Sequence, residues 1–130
     1  LYAAAFEESV RWVAPIGMYP REATRDTVLE GIRLPKGARI GVVIGAANRD
    51  PAVFEDPETY NIHRPKKPHL GFGGGTHFCA GTWVARTQVA QVAMPALFDR
   101  FPRLRLDPSA ETVDAGWVFR GMLKMPVRWD

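Results

Sequence analysis

The sequence predicts an α+β fold: an amphipathic helix, a short β region, a long proline-rich loop, a second and more apolar helix, and a closing β-hairpin. Three observations carry that expectation. Tyr2, Phe6, Val10 and Val13 recur at helical spacing and form one apolar stripe. Residues 26 to 46 are rich in β-branched side chains and are interrupted by Gly and Pro turns. Residues 79 to 100 are apolar on nearly every helical face.

The elements follow in order. Tyr2 to Val13 is expected as the first helix, stopped by Pro15, because the residue before a proline avoids the helical region. Val28-Leu29 and Ile32-Arg33-Leu34 flank a Glu30-Gly31 turn, and Pro35-Lys36-Gly37 makes a second turn. Ile40 to Ile44 should be a largely buried strand. Asn48 to Leu70 carries Pro51, Pro57, Pro65 and Pro68 among polar residues, the composition of a long ordered loop with short helical turns. Trp83, Ala90, Met94, Leu97 and Phe101 share one stripe of a second helix from Cys79 to Arg100, which should be buried. Pro95 should kink that helix or loosen its last turns. Trp117 to Trp129 alternates as a closing hairpin around Arg120-Gly121.

Composition removes several classes of function. A hydrophobic content of 46% supports a packed core, so disorder is not the default. The net charge of +3 is mild and its basic residues are scattered, so no cluster marks a nucleic-acid or membrane surface. A single cysteine excludes an internal disulfide and favours a reducing, cytoplasmic compartment. The chain opens at Leu1 inside a helical pattern, and we expect an upstream part of the same protein.

The chemistry concentrates in Phe72-Gly73-Gly74-Gly75-Thr76-His77-Phe78-Cys79-Ala80-Gly81. Consecutive glycines let a backbone approach a flat ligand and adopt positive φ. A lone cysteine at the start of a helix gains thiolate character from the helix dipole. Such a thiolate could be a nucleophile, a redox sensor or a metal ligand, and the bland alternative is a buried, inert cysteine. A zinc site drawn from His63, His69, His77 and Cys79 has no defensible spacing. A phosphate loop fails because no Gly-Lys-Ser/Thr follows the glycines.

The ten-residue run resembles the haem-binding signature of the cytochrome P450 family, Phe-Gly-x-Gly-x-His-x-Cys-x-Gly, at Phe72, Gly73, Gly75, His77, Cys79 and Gly81. The resemblance implies that Cys79 sulfur ligates the iron of haem b, that Phe72 packs beside the sulfur, and that His77 bonds a haem propionate. A thiolate ligand pushes electron density onto iron and favours O–O cleavage. Without a Cys-x-x-Cys-His motif the haem would be held non-covalently. Glu8-Ser9-Val10-Arg11 resembles the family's Glu-x-x-Arg motif. By spacing alone it is a solvated pair opposite the Phe6/Val10 stripe. The resemblance instead implies a buried network completed by Arg64 from the proline-rich loop. Arg21 occupies the place of a propionate-binding arginine.

The likeness implies the C-terminal part of the cytochrome P450 fold. The distal helix that supplies an acidic residue and a threonine to oxygen activation has no equivalent here, so residues 1–130 alone should be inactive; with one face of the buried helix and the sheet left uncovered, they should also be poorly soluble and dependent on the upstream part. Pro15, Ile16, Val118 and Phe119 should face substrate, an apolar lining suited to a small hydrophobic or aromatic molecule. Gly116 to Gly121 and Pro68 to Phe72 resemble the corresponding runs of bacterial aryl-ether O-demethylases that act on guaiacol-type aromatics. Electrons would come from a ferredoxin or a flavin/iron-sulfur reductase, attracted by Arg64, Lys66, Lys67 and Arg86. A gas-sensing haem module and a peroxide-using enzyme of the same fold are the rival readings.

Overall fold

A computed structural model describes all residues, Leu1–Asp130. Helix α1 (Tyr2–Val13) has the expected bounds, and Ala14, in the left-handed region at φ 47°, closes it with an N–H bond to Val10 O. Pro15 then prevents continuation. The β region holds two separate ladders. Strands β2 (Thr27–Leu29) and β3 (Ile32–Leu34) form a hairpin whose turn residues, Glu30 and Gly31, both have positive φ, as a type I′ turn requires. Strand β4 (Arg39–Val43) pairs antiparallel with β1 (Met18–Glu22), a strand outside the expected β region. Pro20 lies in β1, which survives because the ladder is only two strands wide and both members are edges.

Ile44 belongs to the short helix α2 (Ile44–Ala47), not to the strand, and it is buried there. The strand itself is mostly exposed, with Val42 at 41% and Val43 at 51% exposure, so the sheet expected to be buried in the whole protein is uncovered in residues 1–130 alone. Residues 48 to 69 contain turns and no strand. Two single 3₁₀ turns, Leu70–Phe72 and Gly75–His77, follow.

The second long helix begins at Thr82, three residues after Cys79, so the cysteine lies in the preceding turn. It has three segments: α3 (Thr82–Ala85), a π-helical stretch Arg86–Ala93, and α4 (Met94–Arg100). Pro95 accounts for the π segment. It offers no N–H and crowds the carbonyl four residues back, so the preceding turns widen, and Met94 N–H reaches Val89 O. The loosening precedes the proline instead of falling in the last turns. Strand β5 (Arg105–Leu106) pairs with β8 (Val127–Arg128), and β6 (Val113–Ala115) pairs with β7 (Gly121–Lys124). The closing hairpin is therefore β6–β7, with residues 116 to 120 at its tip and not a turn centred on Arg120-Gly121.

The core is small. Only 11 of 130 residues are buried, and the accessible surface is 9842 Å². A compact monomer of 14.5 kDa would expose about 6,900 Å² by the scaling of surface with mass. The excess lies on apolar faces. Of the long helix only Thr82 and Ala90 are buried, while Trp83 is 78% exposed, so the expected buried helix is covered on one face alone. No helix is long and apolar enough to cross a membrane.

Candidate functional site

The buried centre of the molecule is ionic. Arg11 Nε and Nη2 donate to Glu8 Oε2 and Oε1, both at 2.8 Å. Arg11 also donates to the backbone oxygens of Asn48 (2.8 Å), Pro57 (3.0 Å) and Thr59 (3.3 Å), and lies over the Phe54 ring at 5.3 Å. Arg64 Nε approaches Glu8 Oε1 at 3.3 Å, and its other nitrogens donate to the carbonyls of Glu55, Asp56 and Thr59. Asn61 N–H adds a bond to Glu8 Oε1 at 2.9 Å. The Glu8–Arg11 pair is thus buried, not solvated as spacing alone suggests, because residues 48 to 64 fold over that face of α1. Burial, the largest single influence, would raise the Glu8 pKa. The hydrogen bonds from Arg11, Asn61 and Arg64 together with the Arg11 charge outweigh it and hold the carboxyl below its ordinary range.

Asn48 links this network to the cysteine loop. It is fully buried, its carbonyl accepts from Arg11, and its side-chain oxygen accepts the Leu70 N–H at 2.7 Å. Its position at the end of a helix turn gave no sign of this role. Gly71 follows, pressed so closely against α1 that a Cβ there would lie 2.5 Å from Val10 Cγ1 and 2.8 Å from Val10 O. Phe72 packs between the rings of Phe6 and His69, with centroids at 6.3 and 6.0 Å. Its carbonyl accepts the Cys79 N–H at 2.9 Å, and Thr82 Oγ1 donates to the Cys79 carbonyl at 2.6 Å. The cysteine is held through its backbone on both sides while its thiol is exposed. Within residues 1–130 the thiol is therefore free to meet a ligand.

Gly73 (φ 74°) and Gly75 (φ 65°) occupy the left-handed region, whereas Gly74 is extended. A Cβ on Gly75 would meet no atom within 4 Å, and Gly81 lies beside the Cys79 sulfur, where a Cβ would sit 3.7 Å from Sγ. The result is bare backbone next to an exposed soft donor. No three His, Cys, Asp or Glu side chains converge to hold a metal ion, so the zinc arrangement of His63, His69, His77 and Cys79 does not form. One sulfur donor on a flat glycine surface suits a metal that brings its other ligands in a planar macrocycle. The residues present fit haem.

The remaining sequence candidates are spread around this centre. His77 closes the second 3₁₀ turn and is exposed. Arg21 is exposed on β1, with its guanidinium over the Tyr19 ring at 5.4 Å and no acidic partner. The four apolar candidates are brought together from opposite ends of the chain. Ile16 bridges Phe119, Gly17 N–H donates to Val118 O, and Arg120 N–H donates to Pro15 O, both bonds at 2.8 Å. The basic group expected to attract a partner is smaller than the sequence suggests. Arg64 is held inside the network, and Arg86 is paired to Glu7 through bonds of 2.6 and 2.8 Å. Lys66 and Lys67 remain as exposed cations.

The sequence model of the family described as Cytochrome P450 matches residues 1–116. The chain is similar to the mycinamicin IV hydroxylase/epoxidase of Micromonospora griseorubida, with 40% identity over 99% of this chain and 33% of that protein. It is 39% identical to the steroid C26-monooxygenase of Mycolicibacterium smegmatis over 88% of this chain and 27% of that protein. Among solved structures it overlays HmtN, a hydroxylase of himastatin biosynthesis, with a TM-score of 0.92 and 38% identity, covering 99% of this chain and 35% of the other. The chain therefore spans about a third of the length of the relatives it matches. The motif order along the sequence, the buried Glu8–Arg11–Arg64 network, the exposed Cys79 thiol and these matches agree: the chain belongs to the cytochrome P450 family, whose cofactor is haem b.

Proposed function

We propose that residues 1–130 form the haem-ligating, C-terminal part of a single haem-thiolate monooxygenase domain. The observation that carries this reading is Cys79, an exposed thiol whose backbone is anchored to Phe72 on one side and Thr82 on the other. Cys79 sulfur binds the iron, Gly73, Gly75 and Gly81 keep its surroundings flat, and His77 and Arg21 hold the propionates. The Glu8–Arg11–Arg64 network fixes the loop from behind. Haem supplies the oxygen-activating centre when bound. The protein's share is to place one thiolate, to exclude side chains from the macrocycle face, and to line the substrate side with Pro15, Ile16, Val118 and Phe119.

The substrate class that lining suits is a small hydrophobic or aromatic molecule, oxidised with dioxygen and two electrons from a ferredoxin or flavin/iron-sulfur reductase. We place the reaction in the cytoplasm on the single-cysteine composition. Aryl-ether O-demethylation is the narrower proposal. It rests on the runs Gly116 to Gly121 and Pro68 to Phe72, and titration with guaiacol-like compounds tests it through the haem spin state. The ligand assignment is tested by the ferrous–CO difference spectrum of the haem-loaded protein. A red-shifted thiolate band that disappears in Cys79→Ala is expected; a band that persists in the variant overturns the assignment.

A further inference from the structure

A second ionic cluster lies beside the Glu8 network, and neither the family motifs nor the proposed chemistry uses it. Arg86, in the π-helical segment, donates from Nε and Nη2 to Glu7 Oε1 and Oε2 at 2.6 and 2.8 Å. His69 Nε2 lies 3.2 Å from Glu7 Oε2, and its Nδ1 accepts the Gly71 N–H at 3.1 Å. That second bond fixes the tautomer. With Nδ1 accepting, Nε2 is the nitrogen that donates to Glu7. The triad joins α1, the start of the cysteine loop and the long helix, and within it the charges of Glu7 and Arg86 cancel.

Its position matters because of Phe72. The Arg86 guanidinium lies over the Phe72 ring, 5.2 Å from the centroid, and the His69 ring lies 6.0 Å away. The Phe72 carbonyl accepts the Cys79 N–H at 2.9 Å. A fixed cation thus stands one aromatic ring from the backbone that presents the sulfur. Glu7 and Arg86 line one cavity of about 630 Å³ whose other charged groups are Glu8, Arg11, Arg64, Lys66 and Lys67. These are four cations against one carboxylate, so this side of the molecule is positive before the pair is counted. Both members of the pair are ionised, since the hydrogen bond between them lowers the Glu7 pKa and raises that of Arg86.

We propose that Glu7 and Arg86 are positioning residues that act on Cys79 through Phe72, with Glu7 cancelling the Arg86 charge that would otherwise draw electron density from the thiolate. This rests on the reading of Cys79 as the iron ligand. Neutral packing between helix and loop would keep the geometry without any charge. A bidentate pair keeps the geometry and also sets the local potential.

The test is the ferric/ferrous midpoint potential of the full-length, haem-loaded protein, titrated with one electron from dithionite, in variants that retain the thiolate band. Glu7→Gln leaves Arg86 uncompensated and is expected to raise the potential. Arg86→Met leaves Glu7 uncompensated and is expected to lower it. The double variant is expected to return toward the parent value, and Arg86→Lys, which keeps the charge but not the bidentate geometry, to stay near it. A purely structural pair predicts otherwise. Both single variants would then shift the same way or not at all, and Arg86→Lys would behave as Arg86→Met; either result overturns the proposal. If Glu7→Gln fails to hold haem, the comparison of Arg86→Met with Arg86→Lys decides alone. Failure of the ligand reading is separate, because it shows as a thiolate band that survives Cys79→Ala.

Discussion

The carboxylate of Glu8 and the guanidinium of Arg11 meet through two 2.8 Å hydrogen bonds, with 5% and 2% of their side chains exposed. An ion pair this deeply buried is costly to form and costlier to break. Its net contribution against a hydrophobic replacement can be near zero, yet removal of one partner strands the other charge. Arg11 additionally satisfies three carbonyls from the covering loop, so its loss also orphans backbone groups. Arg11→Met is expected to destabilise the haem-loaded protein by about 3–5 kcal/mol. Urea unfolding followed by the haem band measures this; a change under about 1 kcal/mol would mean the network is not what holds the loop.

The same carboxylates predict how stability depends on acid. The bond from Arg86 is the main cause that lowers the Glu7 pKa, and the combined bonds to Glu8 outweigh its burial. Both folded values therefore lie below the ordinary 4.5. The sign follows from linkage: the unfolded chain binds protons first, so the contribution is complete above 4.5 and is lost as pH falls through the lowered folded values. Denaturation midpoints should be flat from neutrality down to that region and then drop. Glu7→Gln is expected to lower the neutral-pH stability and to make the acid drop shallower. An unchanged acid slope in that variant would remove Glu7 from the account.

Glycines in the cysteine loop separate into those the structure needs and those it tolerates. Gly71 abuts buried Val10, where an added Cβ would overlap both a side chain and a backbone oxygen. Gly74 is extended (φ −164°), and its nearest atom would be Leu70 Cδ2 at 3.8 Å. Gly71→Ala should therefore destabilise by about 1–3 kcal/mol, the range for overpacking, and reduce haem retention. Gly74→Ala should stay within about 0.5 kcal/mol of the parent. Thermal unfolding and haem content of the two variants check this, and equal effects would contradict the packing argument.

How much of this was legible from sequence varies by residue. Helix α1 was readable because its stripe and Pro15 agree. The β2–β3 hairpin was readable because two apolar runs flank a two-residue turn in which Gly31 suits a positive φ, although Glu30 must adopt one too. Strand β1 was not assigned because Pro20 and the charged pair Arg21-Glu22 carry no strand pattern of their own, and only pairing with β4 makes them a strand. The open faces of β4 and the long helix are those expected to stay uncovered in residues 1–130 alone. Apolar periodicity reports which faces are fit to be covered, not what covers them in these 130 residues. For the Glu8–Arg11 pair, spacing and resemblance pointed opposite ways, and the buried network that the resemblance implied is the one that forms. At i,i+3 it is locally a surface pair, and its burial depends on a loop about fifty residues away in sequence. Asn48 and the Glu7–His69–Arg86 cluster gave no local signal, since each role rests on contacts between distant segments.

The hairpin tip offers the last prediction, because the structure joins two segments more than a hundred residues apart at a face proposed to meet substrate. Ile16 bridges Phe119, Gly17 and Arg120 bond across the same seam, and Arg120 Nη1 reaches the Val13 carbonyl at the end of α1 at 3.2 Å. The tip is thereby tied to the helix end, where a cation also opposes the helix dipole. Gly116 makes the sharp entry at φ 97°, and a Cβ there would overlap the Phe119 carbonyl. Phe119 itself is 73% exposed, so its ring is available to a ligand while its backbone is fixed. Burying such a ring against a hydrophobic substrate contributes about 1.5–3 kcal/mol, or roughly ten- to hundredfold in affinity. Phe119→Ala is expected to raise the dissociation constants of hydrophobic and aromatic ligands by about tenfold or more, read from their spin-state titrations. Val28→Ala on the exposed β2–β3 hairpin should leave them unchanged, since that side chain takes no part in the seam. Unchanged constants for every ligand in the Phe119 variant would show that the tip does not face the substrate.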